Sequence, residues 1–126
     1  MLNQDLFKDL EWMLEAPGSK EVRRYPLTDM YVAKDDSVVI DIAVAGFDKD
    51  DIDIELVGDT LVITGKLPDD EDKDYIQEFI SKSDFERKIR LGKHHINGEI
   101  KAGYKNGILT ITVSKTEEPK KLIEIY

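Results

Sequence analysis

The sequence predicts an all-β fold, a sandwich of two antiparallel sheets that follows a short N-terminal helix and precedes an extended C-terminal tail. From Pro26 to Val113 apolar residues alternate with polar ones, the period expected of strands that bury one face. Gly58-Asp59 and Asn106-Gly107 lie between such runs and are typical of tight hairpin turns. Because the runs are short and no helical periodicity separates them, they favour a sandwich of about six to eight strands.

Residues 1–25 form an N-terminal arm in which apolar side chains recur at helical spacing. The pattern predicts an amphipathic helix over about residues 3 to 15, capped by Asn3 and ended by Pro17-Gly18. Its apolar stripe consists of Leu2, Leu6, Phe7, Leu10, Trp12, Met13 and Leu14. A helix this short is marginal alone in water, so it must pack against its own domain, a sister subunit or another protein.

The strand-forming region, residues 26–114, divides into runs with distinct patterns. Val38 to Ala45 is apolar at nearly every position, which predicts a central strand. Ile52 to Leu56 alternates with acids and is expected to pair as a hairpin with Thr60 to Thr64. The later predicted strands are Phe85 to Leu91, Ile100 to Tyr104 and the β-branched run Ile108 to Val113.

Two segments depart from this pattern. Residues 67–82 begin with a cluster of acids and should form a long exposed loop. Within it, Tyr75 to Ile80 is more apolar and fits either a separate short strand or one helical turn. The tail, residues 115–126, is polar until it reaches Leu122-Ile123-Glu124-Ile125-Tyr126, whose hydrophobic side chains are expected to find a surface to cover.

Composition limits the possible partners and locations. The 126 residues suffice for one core, and the net charge of -9 makes nucleic acids and anionic membranes poor partners. The absence of cysteine excludes disulfides and thiolate metal sites. The sequence has no basic leader, and none of its apolar runs approaches the ~18 residues that a membrane span needs. We therefore expect an intracellular, cytoplasmic protein without a membrane span.

The sequence offers little for catalysis or for metal binding. His94 and His95 are adjacent and point to opposite faces of an extended chain, so we expect a solvated pair on a surface loop. The aspartates at 48–53 and 69–74 lack the spacing of a calcium loop. No phosphate-binding glycine loop, nucleophile elbow or zinc-protease motif occurs. We therefore predict no catalytic residues, no cofactor, no metal and no ATP site.

Five segments carry recognisable motifs in a fixed order. The most specific is Ala102 to Leu109, which has the form A-x-x-x-N-G-[VIL]-L. The weaker ones are Pro26 to Asp29, Val44 to Ile52, Phe85 to Leu91, and Ile123-Glu124-Ile125. Together they resemble the α-crystallin domain of the small heat-shock proteins (Hsp20 family), with Ala45 in place of the family's usual proline. Residues 75–78 and 85–88 are most similar to the bacterial inclusion-body-binding type. The resemblance implies an immunoglobulin-like sandwich and an ATP-independent chaperone that holds unfolding proteins as an oligomer of dimers.

The resemblance also implies which residues join subunits. Ile123 and Ile125, with Leu122 beside them, would fill a groove between the fourth and eighth core strands, in the family's count, of another subunit. Tyr75, Ile76, Phe79 and Ile80 would belong to a strand exchanged into a partner's sheet, and Arg87 would form a buried or interfacial ion pair. Three alternatives remain open: a tail that covers its own domain, a loop that closes over its own core, and a solvated arginine.

The helical stripe of the arm combines aliphatic, aromatic and Met side chains, an adaptable surface for unfolded client proteins. The alternative is that the helix packs inside the oligomer. Both interpretations are compatible if assembly buries the stripe and the release of subunits exposes it. The expected partners are further copies of the chain, unfolded clients and ATP-dependent refolding chaperones. Two other functions remain possible: a CS-type co-chaperone that binds a folded chaperone, and an enzyme or ligand-binding sandwich.

Overall fold

The computed structural model describes residues 25–68, 73–78, 83–116 and 123–126, and these form a β-sandwich. Its seven strands are β1 (Thr28–Val32), β2 (Val38–Ala43), β3 (Ile52–Val57), β4 (Thr60–Gly65), β5 (Phe85–Arg90), β6 (Ile100–Lys105) and β7 (Ile108–Val113). A 3-10 turn, Lys49–Asp51, precedes β3. The predicted all-β class is confirmed, while the predicted N-terminal helix lies outside the described residues.

The strands form two antiparallel sheets. One sheet has the order β1-β2-β7-β6 and the other has the order β3-β4-β5. β2 lies between β1 and β7, with Ile40 opposite Ile111, so the predicted central strand is confirmed. β3 and β6 each stand at the end of a sheet and pair, among the described strands, with one neighbour only. Their outer edges therefore present backbone groups that no other described strand uses.

The core lies between the sheets and consists of the alternate residues that the sequence pattern assigned to one face. Ile40, Ile63 and Ile111 are fully buried, and Phe47 meets the ring of Phe85 edge to face at 5.3 Å. The other buried apolar residues of this cluster are Val38, Ile42, Val44, Leu61, Ile89, Leu91, Leu109 and Val113. One contiguous core holds both sheets together.

Both predicted hairpins are present, and backbone geometry explains their sequences. Gly58 has φ +63° between β3 and β4, while Asn106 and Gly107 have φ +55° and +80° between β6 and β7. In the Asn106-Gly107 turn both central residues have positive φ, which matches the twist of the flanking strands and which Asn-Gly adopts with little strain. In the Gly58-Asp59 turn only the first central residue has positive φ, and glycine is the usual residue there.

Gly65, at the end of β4, occupies a position that has no room for a side chain. A Cβ atom built there would overlap the ring of Phe85, which is buried against Phe47. We expect Gly65→Ala to lower the free energy of unfolding by about 1 to 3 kcal/mol, the usual cost of overpacking a core. Urea unfolding at fixed protein concentration measures this, and Phe85→Leu in the Gly65→Ala background should recover part of the loss. A Gly65→Ala protein as stable as the parent would contradict the packing described.

Residues 73–78, from the long loop, form neither a strand nor a helix. Tyr75 is 49% exposed and Ile76 is fully exposed. Phe79 and Ile80 lie outside the described residues, so the exchanged strand stays a prediction.

Candidate functional site

An open apolar groove lies between the end strands of the two sheets, β3 and β6. Ile52 and Ile54 line one wall, Ala102 and Tyr104 line the other, and Leu109 closes the floor. Lys49, from the 3-10 turn before β3, is the one charged residue of the lining. Its volume of about 130 Å³ approaches the ~150 Å³ of an apolar cavity that accepts benzene. The groove therefore has room for an aliphatic side chain.

The sequence of β6 explains why this space stays open. Ala102 and Gly103 leave the middle of the strand nearly without side chains, and a Cβ atom at Gly103 would meet nothing within 4 Å. At one end, the Tyr104 hydroxyl donates a hydrogen bond of 2.8 Å to the carbonyl oxygen of Phe47. This bond ties β6 to the chain entering β3 and fixes one end of the groove.

Two apolar residues of the tail, Ile123 and Ile125, do not lie in this groove within the same chain. Ile123 is 82% exposed and Ile125 is 95% exposed. Leu122 lies outside the described residues. Adjacent strand positions point to opposite sides, so an extended tail presents Ile123 and Ile125 on one side and Glu124 on the other.

The tail leaves the domain from a well-bonded segment, residues 114–116, which we call the tail root. The N–H of Ser114 donates to the carbonyl of Glu99 at 3.0 Å, and the N–H of Thr116 donates to the carbonyl of His94 at 2.8 Å. Between them, Lys115 Nζ lies 3.4 Å from Asp36 Oδ2 in the β1–β2 loop. These contacts fix where the tail begins.

His95 is fully buried beside the tail root, so the expected solvated pair on a surface loop is wrong for this residue. Its Nε2 lies 2.9 Å from the carbonyl oxygen of Asp36, which accepts only, so Nε2 carries the hydrogen. The turn at residues 93–97 folds over the end of the sandwich and brings the ring inside. Nothing in the local sequence distinguishes this histidine from its neighbour His94.

Arg87 points inward from β5, in the same row as Phe85 and Ile89. Its Nη1 donates to the carbonyl oxygen of Pro26 at 3.1 Å, and burial lowers the pKa of the guanidinium, which still stays protonated at neutral pH. The solvated interpretation does not describe this half-buried side chain. An ion pair with another subunit stays a prediction.

No group of three or more potential metal ligands occurs among the described residues. In the acidic stretch before β3, the N–H of Asp48 instead donates to Asp51 Oδ2 at 3.1 Å and closes the 3-10 turn. Within the same residues, no helix has the length and apolarity needed to cross a membrane.

Two antiparallel sheets that leave an apolar groove between their end strands define the class of protein, an α-crystallin-type sandwich. Residues 30–126 match the family model described as Hsp20/alpha crystallin family, and the chain belongs to that family. The resemblance seen in the sequence is thereby confirmed. Members of this family are non-enzymatic chaperones, so the family assignment disfavours an enzyme. It also does not favour the CS-type co-chaperone.

Individual relatives agree with this assignment. Over 69% of its length the chain is 33% identical to small heat shock protein C1 of Rickettsia conorii, covering 52% of that protein. It is 26% identical to the 18 kDa antigen 2 of Mycobacterium avium over 99% of the chain and 91% of that protein. The chain spans about half the length of the Rickettsia relatives.

Among solved structures, the C-terminally truncated small heat shock protein AgsA of Salmonella typhimurium has a TM-score of 0.65 and 26% identity, covering 80% of this chain and all of that one. Heat shock protein 16.0 of Schizosaccharomyces pombe has a TM-score of 0.63 and 26% identity, and the match covers 86% of this chain and 88% of that one.

Proposed function

We propose that the chain is an ATP-independent holdase that assembles from dimers and binds unfolding proteins before they aggregate. The observation that carries the proposal is the pairing of an open groove on the domain with an exposed Ile-x-Ile segment on the tail. Membership in a family of non-enzymatic chaperones supports it.

The groove is mostly apolar and has room for an aliphatic side chain, and the tail carries two exposed isoleucines. Burying two Ile side chains contributes roughly 3 to 6 kcal/mol before the costs of ordering and association are subtracted. One tail therefore binds another subunit weakly. Several tails acting together hold an assembly through their high effective concentration, while each detaches often enough for subunits to exchange.

Strand exchange through the long loop would supply the dimer. β1 stands at the end of its sheet, and Tyr75 and Ile76 are exposed in the loop that would pair with it. Reciprocal addition of Tyr75 to Ile80 would cover an edge on each partner and give a twofold interface, near which Arg87 would find its carboxylate. The shape of the single chain supports this arrangement because it leaves both the loop and the edge open.

Clients would bind the apolar stripe of the N-terminal arm, Leu2 to Leu14, when subunits separate. The net charge of -9 would keep complexes with adhesive clients soluble. Clients held in this way would pass to ATP-dependent refolding chaperones.

The direct test is suppression of aggregation. We expect the purified chain to prevent light scattering by a heated model protein at substoichiometric amounts of oligomer, without ATP. Size-exclusion chromatography with light scattering should give a mass well above 14.4 kDa, the mass of one chain. A monomer at working concentration that leaves aggregation unchanged would refute the proposal.

A further inference from the structure

The two walls of the groove carry opposite charges on their outer surfaces. Ile100 and Tyr104 of β6 pack on the core, so alternation places Lys101 and Lys105 on the outer side, where both are exposed. On β3 the corresponding exposed positions are Asp53 and Glu55. A tail entering the groove therefore meets a basic edge on one side and an acidic edge on the other.

A docked tail must place Glu124 near one of these edges. With Ile123 and Ile125 directed into the groove, Glu124 faces outward. If the tail extends the sheet that ends in β6, Glu124 lies beside Lys101 and Lys105. If it extends the sheet that ends in β3, Glu124 lies beside Asp53 and Glu55, and like charges on facing strands are destabilising.

From this charge pattern, which rests on the proposed docking of the tail, we infer that the tail of one copy adds to the β6 edge of another, with Glu124 held between Lys101 and Lys105. Placing the two Ile residues over Ala102 and Tyr104 sets Glu124 opposite Gly103. Both lysines are then diagonal neighbours, about 7 to 8 Å away between backbones and within reach of long side chains.

Gly103 has a role in this arrangement. A Cβ atom built on it would meet nothing within 4 Å, and Gly103 itself places no side chain between Lys101 and Lys105 on that side of β6. Lys101 lies 3.8 Å from Glu99 within its own strand segment, but both side chains are largely exposed. Such an exposed ion pair contributes little free energy, so Lys101 can turn from Glu99 to the carboxylate of Glu124.

Charge reversal tests the inference in the full-length protein. Glu124→Lys should raise the concentration at which half of the assembly dissociates by about tenfold near 0.01 M salt, where the Debye length is about 30 Å. At about 1 M salt the effect should fall below about twofold because the Debye length shortens to about 3 Å. Glu117→Lys, the same charge change outside the Ile-x-Ile segment, is the matched control and should have a smaller effect.

The rescue identifies the edge. Adding Lys101→Glu and Lys105→Glu to the Glu124→Lys chain should restore assembly, whereas adding Asp53→Lys and Glu55→Lys should not. Stronger assembly of Glu124→Lys, which docking beside Asp53 and Glu55 would give, would overturn the inference and leave the holdase proposal intact. So would no effect of Glu124→Lys while Ile123→Ser with Ile125→Ser reduces the assembly to dimers. If the isoleucine variant also leaves assembly unchanged, tail docking itself is refuted.

Discussion

Replacing both Ile123 and Ile125 with serine is expected to reduce the assembly to dimers. Each serine removes the side chain that would occupy the groove of another subunit and adds a hydroxyl that must be desolvated. Losing even 3 kcal/mol per contact corresponds to more than about a hundredfold in the dissociation constant. Light scattering on the eluting protein would show the change in mass, and an unchanged mass would exclude these residues from assembly.

The tail provides its own control for this experiment. Tyr126 is fully exposed and follows Ile125, but an extended chain directs it to the opposite side. Tyr126→Ser should therefore leave the mass unchanged. From the other side of the contact, Ala102→Phe would fill the groove and should reproduce the effect of the serine variant, while thermal unfolding reports whether the sandwich itself is intact.

Gly98→Ala is expected to cause a large loss of stability. A Cβ atom at this position would overlap the carbonyl oxygen of Ser114, a backbone atom at the tail root. The N–H of Ser114 donates to Glu99, so relief of the overlap moves the end of β7 or breaks this bond. We expect a loss of about 3 kcal/mol in the free energy of unfolding, at the upper end for overpacking.

Chemical denaturation at fixed protein concentration measures this loss, with Gly103→Ala as the control for stability. Gly103 lies in a strand and has open space around it, so alanine there should be neutral or stabilising by about 0.5 to 1 kcal/mol. If both alanines cost the same, the close approach of Gly98 to Ser114 is not a feature of the folded protein.

The strands were predictable because their information is local. Alternation in Ile52 to Val57 and the Asn106-Gly107 turn act over a few residues and determine both hairpins. His95 shows the limit of such reasoning. Its burial depends on how a turn folds over the sandwich next to Asp36, which lies 59 positions away in sequence, and no periodicity carries that information.

The groove was harder to predict from the sequence than the strands were. Its walls come from strands in different sheets, and whether Ile54 approaches Ala102 depends on sheet order rather than on any pattern in either strand. The resemblance to the family supplied that arrangement. It could not indicate that Lys101 and Lys105 oppose Asp53 and Glu55 across the groove, because this depends on the particular outward-facing residues of this chain.

The anchored tail root sets a geometric limit on how copies of the chain can be arranged. Thr116 is bonded to the domain, and Ile123 follows seven positions later, so even a fully extended connection spans about 23 to 25 Å. A neighbouring groove must open within that radius to be occupied. The spacing between adjacent domains is thus bounded by a short tether, and lengthening it would permit larger or less regular particles built from the same contacts.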